Sequence, residues 1–236
     1  MGQTYSGAAA VLHDALRQSS HGSQPSADLL EMISAMARPG DLAELLLSLD
    51  KEDKAITACA ERSFRHPLGF SKLTLVDALP LFNLRVHVWW PGAADGVDHV
   101  HNHRFSFVSG VVCGSYDMQL YEQDPAGSPV IEYRENVSPE LGWRLDHVAA
   151  TRIRPLTTIR LQPGTSYALP AETLHRVTVK RTVPCVTLFL QTAISRSTTQ
   201  VFIRPGDPIP SQTSKVPFSG DDYRRQLELI LAVLRP

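Results

Sequence analysis

The sequence predicts a mainly β fold, an antiparallel barrel or sandwich, with helical segments before and after it. From about residue 70, apolar and polar residues alternate in short segments that are rich in β-branched and aromatic side chains. Turn signals built from proline and glycine separate these segments, which favours antiparallel strands over βαβ units. In the first sixty residues, apolar side chains recur instead at three- and four-residue spacing, which is typical of helices.

The N-terminal helices are predicted from two apolar stripes. The stripes are Leu29, Leu30, Ile33 and Met36, followed by Leu42, Leu45, Leu46 and Leu49. Proline, glycine and an aspartate N-cap mark helix ends near residues 23–26 and 39–41. No linker-like tract follows, so we expect residues 1–66 to pack on the barrel within one structural domain.

About nine strands are predicted within the barrel, which we place at residues 67–212. In chain order they are FSKLTLVDA, FNLRVHVWW, HVHNHRFSFVSGVV, SYDMQLYE, PVIEYREN, GWRLDHVAATRI, TTIRLQPG, HRVTVKR and PCVTLFLQT. Turn signals at residues 90–92, 124–127 and 162–164 separate strands, and residues 123–157 are predicted to add a hairpin at the barrel rim. Residues 213–236 close the fold with a helix, whose apolar stripe is Tyr223, Leu227, Ile230, Leu231 and Leu234.

The composition argues against several classes of binding partner. The formal net charge of −1 provides no basic excess for phosphates, so nucleic acid is not an expected partner. No apolar window is long enough to span a membrane, and the first twenty residues do not have the pattern of a secretion signal, so we expect a cytoplasmic protein without a membrane partner. The three cysteines are too scattered for a disulfide framework and are predicted to be core residues.

Three histidines occur at alternate positions, His99, His101 and His103. Alternate side chains of a strand share one face, so His101 and His103 can project together into a barrel and bind one metal ion. A third ligand must come from another strand, and we predict His175. His99 has the same parity and would replace His101 or His103 if the strand register shifted by two residues, although the motif spacing described next favours the later pair.

Two motifs resemble those of the cupin superfamily, whose fold is a jelly-roll β-barrel. The first motif reads G-x5-H-x-H-x3,4-E-x6-G, and aligning its histidines with His101 and His103 places Phe107 at the acidic position and Gly114 at the closing glycine. The second reads G-x5-P-x-G-x2-H-x3-N. This sequence supplies Gly164, Pro170 and His175 at the right separations, with Glu172 at the middle glycine and Val179 at the asparagine.

Within the cupins, residues 70–195 resemble the cysteine dioxygenase-like group of thiol dioxygenases. The resemblance rests on residues 82–92 with the histidine pair, and on residues 174–177 followed by 186–190. It implies iron(II) held by three neutral histidines without a carboxylate, which agrees with Phe107 in the acidic position. That family's Ser-x-His-x-Tyr on a late strand is replaced by Thr187, Phe189 and Gln191, so free cysteine is not the expected substrate.

The resemblance also suggests residues around the metal. Arg85, His87 and Trp89 alternate on one strand and would face the barrel interior, where Arg85 could bind a substrate carboxylate in bidentate fashion. If the register were different, Arg85 would face solvent. The predicted catalytic residues are His87 and Tyr167, and the predicted substrate-binding residues are Arg85, Trp89, Phe107, Phe189 and Gln191.

The predicted function is that of a non-haem iron(II) oxygenase, dioxygenase-like, that uses O2 on a small polar, carboxylate-bearing substrate. The same three-histidine shell would also accept zinc, copper, nickel or manganese, because ligand type selects weakly among these ions. One alternative is a lyase or isomerase that uses the ion as a Lewis acid, and another is a non-enzymatic cupin that binds a small molecule. A homodimer is compatible with the sequence.

Overall fold

The computed structural model describes residues 4–18, 25–66, 68–92, 98–138, 142–180, 182–209 and 215–235. The helices are α1 (Tyr5–Gln18), α2 (Ala27–Met36), α3 (Pro39–Leu49), α4 (Asp53–Glu61) and α5 (Gly220–Leu234). The strands are β1 (Phe64–Arg65), β2 (Ser71–Ala78), β3 (Phe82–Trp89), β4 (Val100–His101), β5 (Phe105–Cys113), β6 (Tyr116–Ser138), β7 (Gly142–Leu161), β8 (Ser166–Leu169), β9 (Leu174–Val179), β10 (Cys185–Ile194) and β11 (Thr199–Ile203). No helix in these ranges is both long and apolar enough to cross a membrane.

The strands form two antiparallel sheets with jelly-roll topology. The first sheet has the order β1-β2-β3-β10-β5-β8 and the second the order β11-β4-β9-β6-β7. The eight strands from β3 to β10 pair first with last: β3 with β10, β4 with β9, β5 with β8 and β6 with β7. Eight strands wound in this way between two sheets are a jelly roll, and the prediction of a mainly β jelly-roll fold with flanking helices is confirmed.

The two faces of the first sheet have different environments. Leu84, Val86 and Val88 of β3 are completely buried and pack, with the aliphatic residues of the neighbouring strands, against the helices. Strand alternation turns the intervening residues, including Arg85 and His87, to the opposite face, inside the barrel. Because helices cover the aliphatic face, the main apolar core lies outside the barrel and the interior can hold polar and aromatic side chains.

The segment predicted as one strand over residues 99–112 is divided. β4 ends at His101 and β5 begins at Phe105, and the chain passes between the sheets in the intervening residues. Asn102 fixes this crossing: its backbone N–H donates to the carbonyl of Gln200 at 3.1 Å, and its side-chain oxygen accepts from the Gln200 N–H at 2.8 Å. The amide of Asn102 also donates to the side chain of Gln200 at 2.7 Å. His103 therefore lies outside any strand, and its position does not follow from strand parity.

The turn predicted at residues 124–127 is a bulge within a longer strand. Gln123 and Ser128 both register with Ile153 of β7, so the residues between them loop out without ending β6. Asp124 accepts from the N–H of Ala126 at 2.8 Å, which is the local turn that the sequence signals. The predicted separate strands thus merge into β6 and β7, and the predicted rim hairpin is the outer part of this pair. β1, β8 and β11 are not among the predicted strands.

Gly114 connects β5 to β6 in a conformation that excludes other residues. Its φ is 71°, and a Cβ at this position would lie 2.5 Å from the carbonyl oxygen of Pro184. Gly164 has a φ of 83°, but nothing lies within 4 Å of a Cβ placed there. Both motif glycines therefore have left-handed backbone, and only Gly114 is also closely packed against backbone.

We expect Gly114→Ala to lower the free energy of unfolding by more than about 2 kcal/mol and Gly164→Ala by only about 1 kcal/mol. The left-handed backbone alone costs an L-residue about 1–2 kcal/mol, and at Gly114 the contact with Pro184 adds to this. Urea denaturation of the two variants measures the difference. Equal losses would contradict the close approach of the β10 strand to Gly114.

Candidate metal centre

Three imidazoles converge where the two sheets meet inside the barrel. His101 of β4 and His175 of β9 are direct partners in the antiparallel register, and His103 comes from the crossing after β4. The candidate ligand atoms all lie within 4.8 Å of one another. The ring centroids are 4.8–5.1 Å apart. The three imidazoles thus form one cluster of nitrogen donors that could hold a single metal ion.

Backbone carbonyls orient two of the three rings. Nδ1 of His101 lies 2.8 Å from the carbonyl oxygen of His99, and Nδ1 of His175 lies 3.0 Å from the carbonyl oxygen of Thr173. A carbonyl oxygen can only accept a hydrogen bond, so Nδ1 carries the proton in both rings. The lone pair is consequently on Nε2, the nitrogen left free to bind a metal.

Burial disfavours protonation of two of the three rings. Burial, followed by the neighbouring His101, lowers the pKa of His175 to about 3. Burial likewise places the pKa of His103 well below its ordinary value, with His101 and His175 adding to the effect. Neutral imidazoles in a shared cluster are donors suited to iron, zinc, copper or nickel. In the described part of the chain, no Cys, Asp, Glu or further His joins this group, so the set is all-imidazole.

Asp98 is a positioning residue that the sequence interpretation missed. Its Oδ2 accepts from the backbone N–H of Val177 at 2.6 Å, and its Oδ1 lies 3.5 Å from Nδ1 of His101. Burial raises the pKa of this carboxyl, although the neighbouring His101 acts in the opposite direction. Asp98 thus links the start of β4 to β9, and its Oδ1, which has no hydrogen-bond partner among the described residues, acts on the His101 ring through charge. Its position three residues before His101 was the signal available in the sequence.

Phenyl rings border the triad where a carboxylate ligand would otherwise stand. Phe107, only 2% exposed, is edge-on to His103 at 5.1 Å and 5.9 Å from His175. Phe105 stacks on His103 at 5.2 Å, and Phe189 stacks on Phe107 at 4.4 Å. The histidines therefore face hydrocarbon on this side, which excludes water and supplies no negative charge.

Arg85 lies inside the barrel, one phenyl ring away from the triad. The guanidinium is 5.4 Å from the ring of Phe105, which itself stacks on His103, and 4.3 Å from the ring of Phe189. Its Nη1 donates to Oε1 of Gln191 at 3.0 Å, while Nε has no hydrogen-bond partner within the described residues. Burial lowers the pKa of Arg85 to about 9, so it remains charged at neutral pH.

The other predicted catalytic and binding residues are farther from the triad. His87 contacts Phe189 at 4.8 Å, which places two phenyl rings between it and the histidines. Trp89 lies beyond His87, at an edge contact of 6.0 Å. Tyr167 shares a hydroxyl hydrogen bond of 2.8 Å with Tyr116 on the other side of Phe107. The structure therefore brings Phe107 against the triad and leaves Arg85, Phe189 and Tyr167 one phenyl ring away. Gln191 is bound to Arg85, and His87 and Trp89 are farther out.

His99 does not join the triad. Its side chain is 8% exposed, and burial lowers its pKa, with Asp207 and the backbone of Pro208 among the groups that act against this. Only its backbone carbonyl contributes, by orienting His101. The later histidine pair is thus the one that the structure brings to His175.

A surface depression of about 400 Å³ lies elsewhere, between α1 and α2. It is lined by residues such as Ala8 and Met32, and neither the histidines nor Arg85 border it. The first sheet separates α2 from the barrel interior, so this depression is not part of the metal centre.

Comparisons with known proteins give only partial structural matches. No family model matches the chain, and neither does any curated protein. Hydroquinone 1,2-dioxygenase from Sphingomonas sp. TTNP3 with 4-hydroxybenzoate bound is 15% identical, with a TM-score of 0.33 over 51% of this chain and 65% of that chain. The Schizosaccharomyces pombe Cnp3 cupin domain is 10% identical, with a TM-score of 0.33 over 52% of this chain and 64% of that chain.

An RmlC-like cupin from Shewanella frigidimarina is 16% identical, with a TM-score of 0.32 over 53% of this chain and 77% of that chain. The chain spans less than two thirds of the length of the hydroquinone dioxygenase and of the Cnp3 domain. Similarity at this level does not identify a reaction for this chain.

Replacing any one of His101, His103 or His175 with alanine is expected to weaken binding of a divalent ion by at least about 100-fold, because each supplies one of three donors. Equilibrium dialysis with Co²⁺, followed by elemental analysis, measures the affinity. His147→Ala is the matched control, since this exposed histidine of β7 lies outside the triad. Wild-type affinity in a triad variant would show that its histidine is not a ligand.

Asp98→Asn is expected to weaken the same affinity by about 10- to 100-fold, the usual effect of removing a carboxylate behind a ligand histidine. The amide preserves the shape of the side chain but removes its charge. Asp117→Asn serves as a control, because Asp117 pairs with Arg160 on the surface hairpin. If both variants bind Co²⁺ like the wild type, Asp98 has no role in positioning His101.

Proposed function

We propose that this chain is a non-haem iron(II) oxygenase that uses O2 on a small, polar, carboxylate-bearing substrate. The observation that carries the proposal is the combination of an all-imidazole triad with a buried arginine, one phenyl ring away, that has no ion pair within the described part of the chain. The resemblance to the three-histidine iron cupins, noted from the motifs, supports iron over the other ions that this shell accepts.

His101, His103 and His175 would hold the ion. When bound, iron(II) would supply Lewis acidity and one-electron chemistry toward O2. The three donors are neutral and offset none of the charge of a divalent ion. The site therefore favours an anionic substrate over a neutral one.

Arg85 is proposed to bind the carboxylate of the substrate. Arg85 is 6% exposed, and a neutral amide is its only hydrogen-bond partner among the residues that the structure describes. A guanidinium buried in this way is unfavourable for folding unless a ligand completes its environment. The phenyl rings of Phe189 and Phe105 lie over the guanidinium, and its buried Nε is a donor without a partner among the described residues, which a planar acceptor would satisfy. Arg85 thus fixes the end of the substrate that is remote from the triad.

The proposed substrate differs from that of the thiol dioxygenases. Thr187, Phe189 and Gln191 of β10 register with residues of β3 on the interior face, at the positions where that family has serine, histidine and tyrosine. Phe189 contributes a hydrocarbon surface, and Gln191 holds Arg85. Neither side chain can transfer a proton, so free cysteine is not proposed as the substrate.

Nitric oxide added to the anaerobic iron(II) protein is expected to give an iron–nitrosyl electron-spin signal that is lost in His101→Ala and His175→Ala. Oxygen-electrode measurements with a panel of carboxylates should then show substrate-dependent O2 consumption. Stoichiometric binding of a metal other than iron, with no O2 consumption across the panel, would contradict the proposal and favour a Lewis-acid lyase or isomerase.

Arg85→Met is expected to abolish carboxylate binding without lowering the free energy of unfolding. Methionine replaces an unpaired buried charge with an apolar side chain of similar length, which is usually neutral or stabilising. Calorimetric titration and urea denaturation measure the two effects. A large loss of stability with unchanged carboxylate affinity would show that Arg85 is a structural residue.

A further inference from the structure

A second cation lies next to Arg85 on the interior face of the first sheet. Lys72 of β2 is the register partner of His87, and Arg85 is two residues from His87 on β3. Lys72 and Arg85 are therefore diagonal neighbours on adjacent antiparallel strands, about 7–8 Å apart at the backbone. On its other side Lys72 registers with Phe64 of β1, and its Nζ lies 5.1 Å from the centroid of that ring.

A further cation, Lys215, lies near the same phenyl ring. Nζ of Lys215 lies 5.1 Å from the centroid of the Phe64 ring, so two ammonium groups share one phenyl surface. Burial places the pKa of Lys72 well below its ordinary value, and Arg85, Lys215 and Arg104 all act in the same direction. Without a bound anion, burial and the neighbouring cations therefore disfavour the charged form of Lys72, and an anion bound beside it would favour that form.

Nearby carboxylates do not compensate this cluster. Asp77 acts on Lys72, but its carboxylate is already bound by Arg62 at 2.6 Å and by the amide of Asn83 at 3.1 Å. Glu135 acts on Lys215, the more exposed of the two lysines. Among the described residues, neither Arg85 nor Lys72 has an ion pair.

A cluster of cations without anions is unfavourable in the folded protein alone. Surface lysines usually extend into water, but Lys72 is held in register between Phe64 and His87 on the inner side of a sheet. A ligand with a single carboxylate would neutralise Arg85 and leave Lys72 unpaired. A ligand with two anionic groups a few ångströms apart would form an ion pair with each of the two side chains.

We infer that the substrate is a dianion, with one anionic group bound by Arg85 and a second, carboxylate or phosphonate-like, bound by Lys72 with help from Lys215. The inference rests on the proposed function, since the ligand is taken to be its substrate. The diagonal spacing of Arg85 and Lys72 favours two separated charges, as in a short dicarboxylate, over one compact dianion. The phenyl ring of Phe105, between Arg85 and the triad, then faces the rest of the substrate.

Calorimetric titration of the metal-free protein at neutral pH tests the inference with three probes. Succinate carries two separated charges, sulfate carries two charges at one centre, and butyrate has the carbon count of succinate with one charge. Wild-type protein is expected to bind succinate at least about tenfold more tightly than butyrate, the effect of roughly one additional charged hydrogen bond. Tighter binding of sulfate than of succinate would contradict the separated geometry.

Lys72→Met is expected to remove the preference for succinate while leaving butyrate affinity unchanged, whereas Arg85→Met removes binding of both. Lys215→Met, at an exposed position, should reduce the preference about threefold and provides a variant whose folding is not in question. Lys54→Met, on the exposed face of α4, is the matched control. Equal affinity of the wild type for succinate and butyrate, absence of binding of either, or an unchanged preference in Lys72→Met would each overturn the inference.

The outcome is separable from the test of the proposed function. The anion titrations require no metal, so a preference for succinate that depends on Lys72 would stand even if the iron–nitrosyl signal were absent. Conversely, an iron–nitrosyl signal with substrate-dependent O2 consumption, but no preference for dianions, would retain the oxygenase and reject the dianionic substrate.

Discussion

Strand alternation gives each residue of the first sheet one of two environments, and the helices determine which face becomes the core. Leu84, Val86 and Val88 pack outward against the helical layer, so the stability of the fold does not depend on filling the barrel with aliphatic side chains. The opposite face can then hold Arg85 and His87, which would be too costly in an ordinary sandwich core. A smaller apolar cluster, which includes Phe107 and Phe189, lies inside the barrel beside the candidate site.

Within the barrel, the metal centre depends on the crossing between β4 and β5. Asn102 attaches this segment to Gln200 through backbone and side chain, and the fixed crossing directs His103 toward the register pair of His101 and His175. Hydrogen bonds from Nδ1 to backbone carbonyls select the tautomer of two ligands. Local backbone geometry, more than strand parity, therefore builds the all-imidazole group.

The sequence predicted the fold class, the helix stripes and the identity of the three clustered histidines, because periodicity and motif spacing are local signals. It did not predict that His103 lies outside a strand, since this depends on the tertiary pairing of Asn102 with Gln200. The cluster of Lys72 with Arg85 was also missed. Their proximity follows from the β2–β3 register, which shifts at the bulge between Thr74 and Val76 and cannot be deduced from residue types alone.

In the proposed metal centre, one divalent ion binds to His101, His103 and His175 without a protein carboxylate. X-ray absorption spectroscopy at the metal edge of the iron(II)-loaded protein tests this most directly, because imidazole rings give a characteristic multiple-scattering pattern whose intensity reports their number. We expect three imidazole ligands, with light-atom scatterers from solvent in the remaining positions. A best fit with two imidazoles or fewer, or with a sulfur ligand, would contradict it.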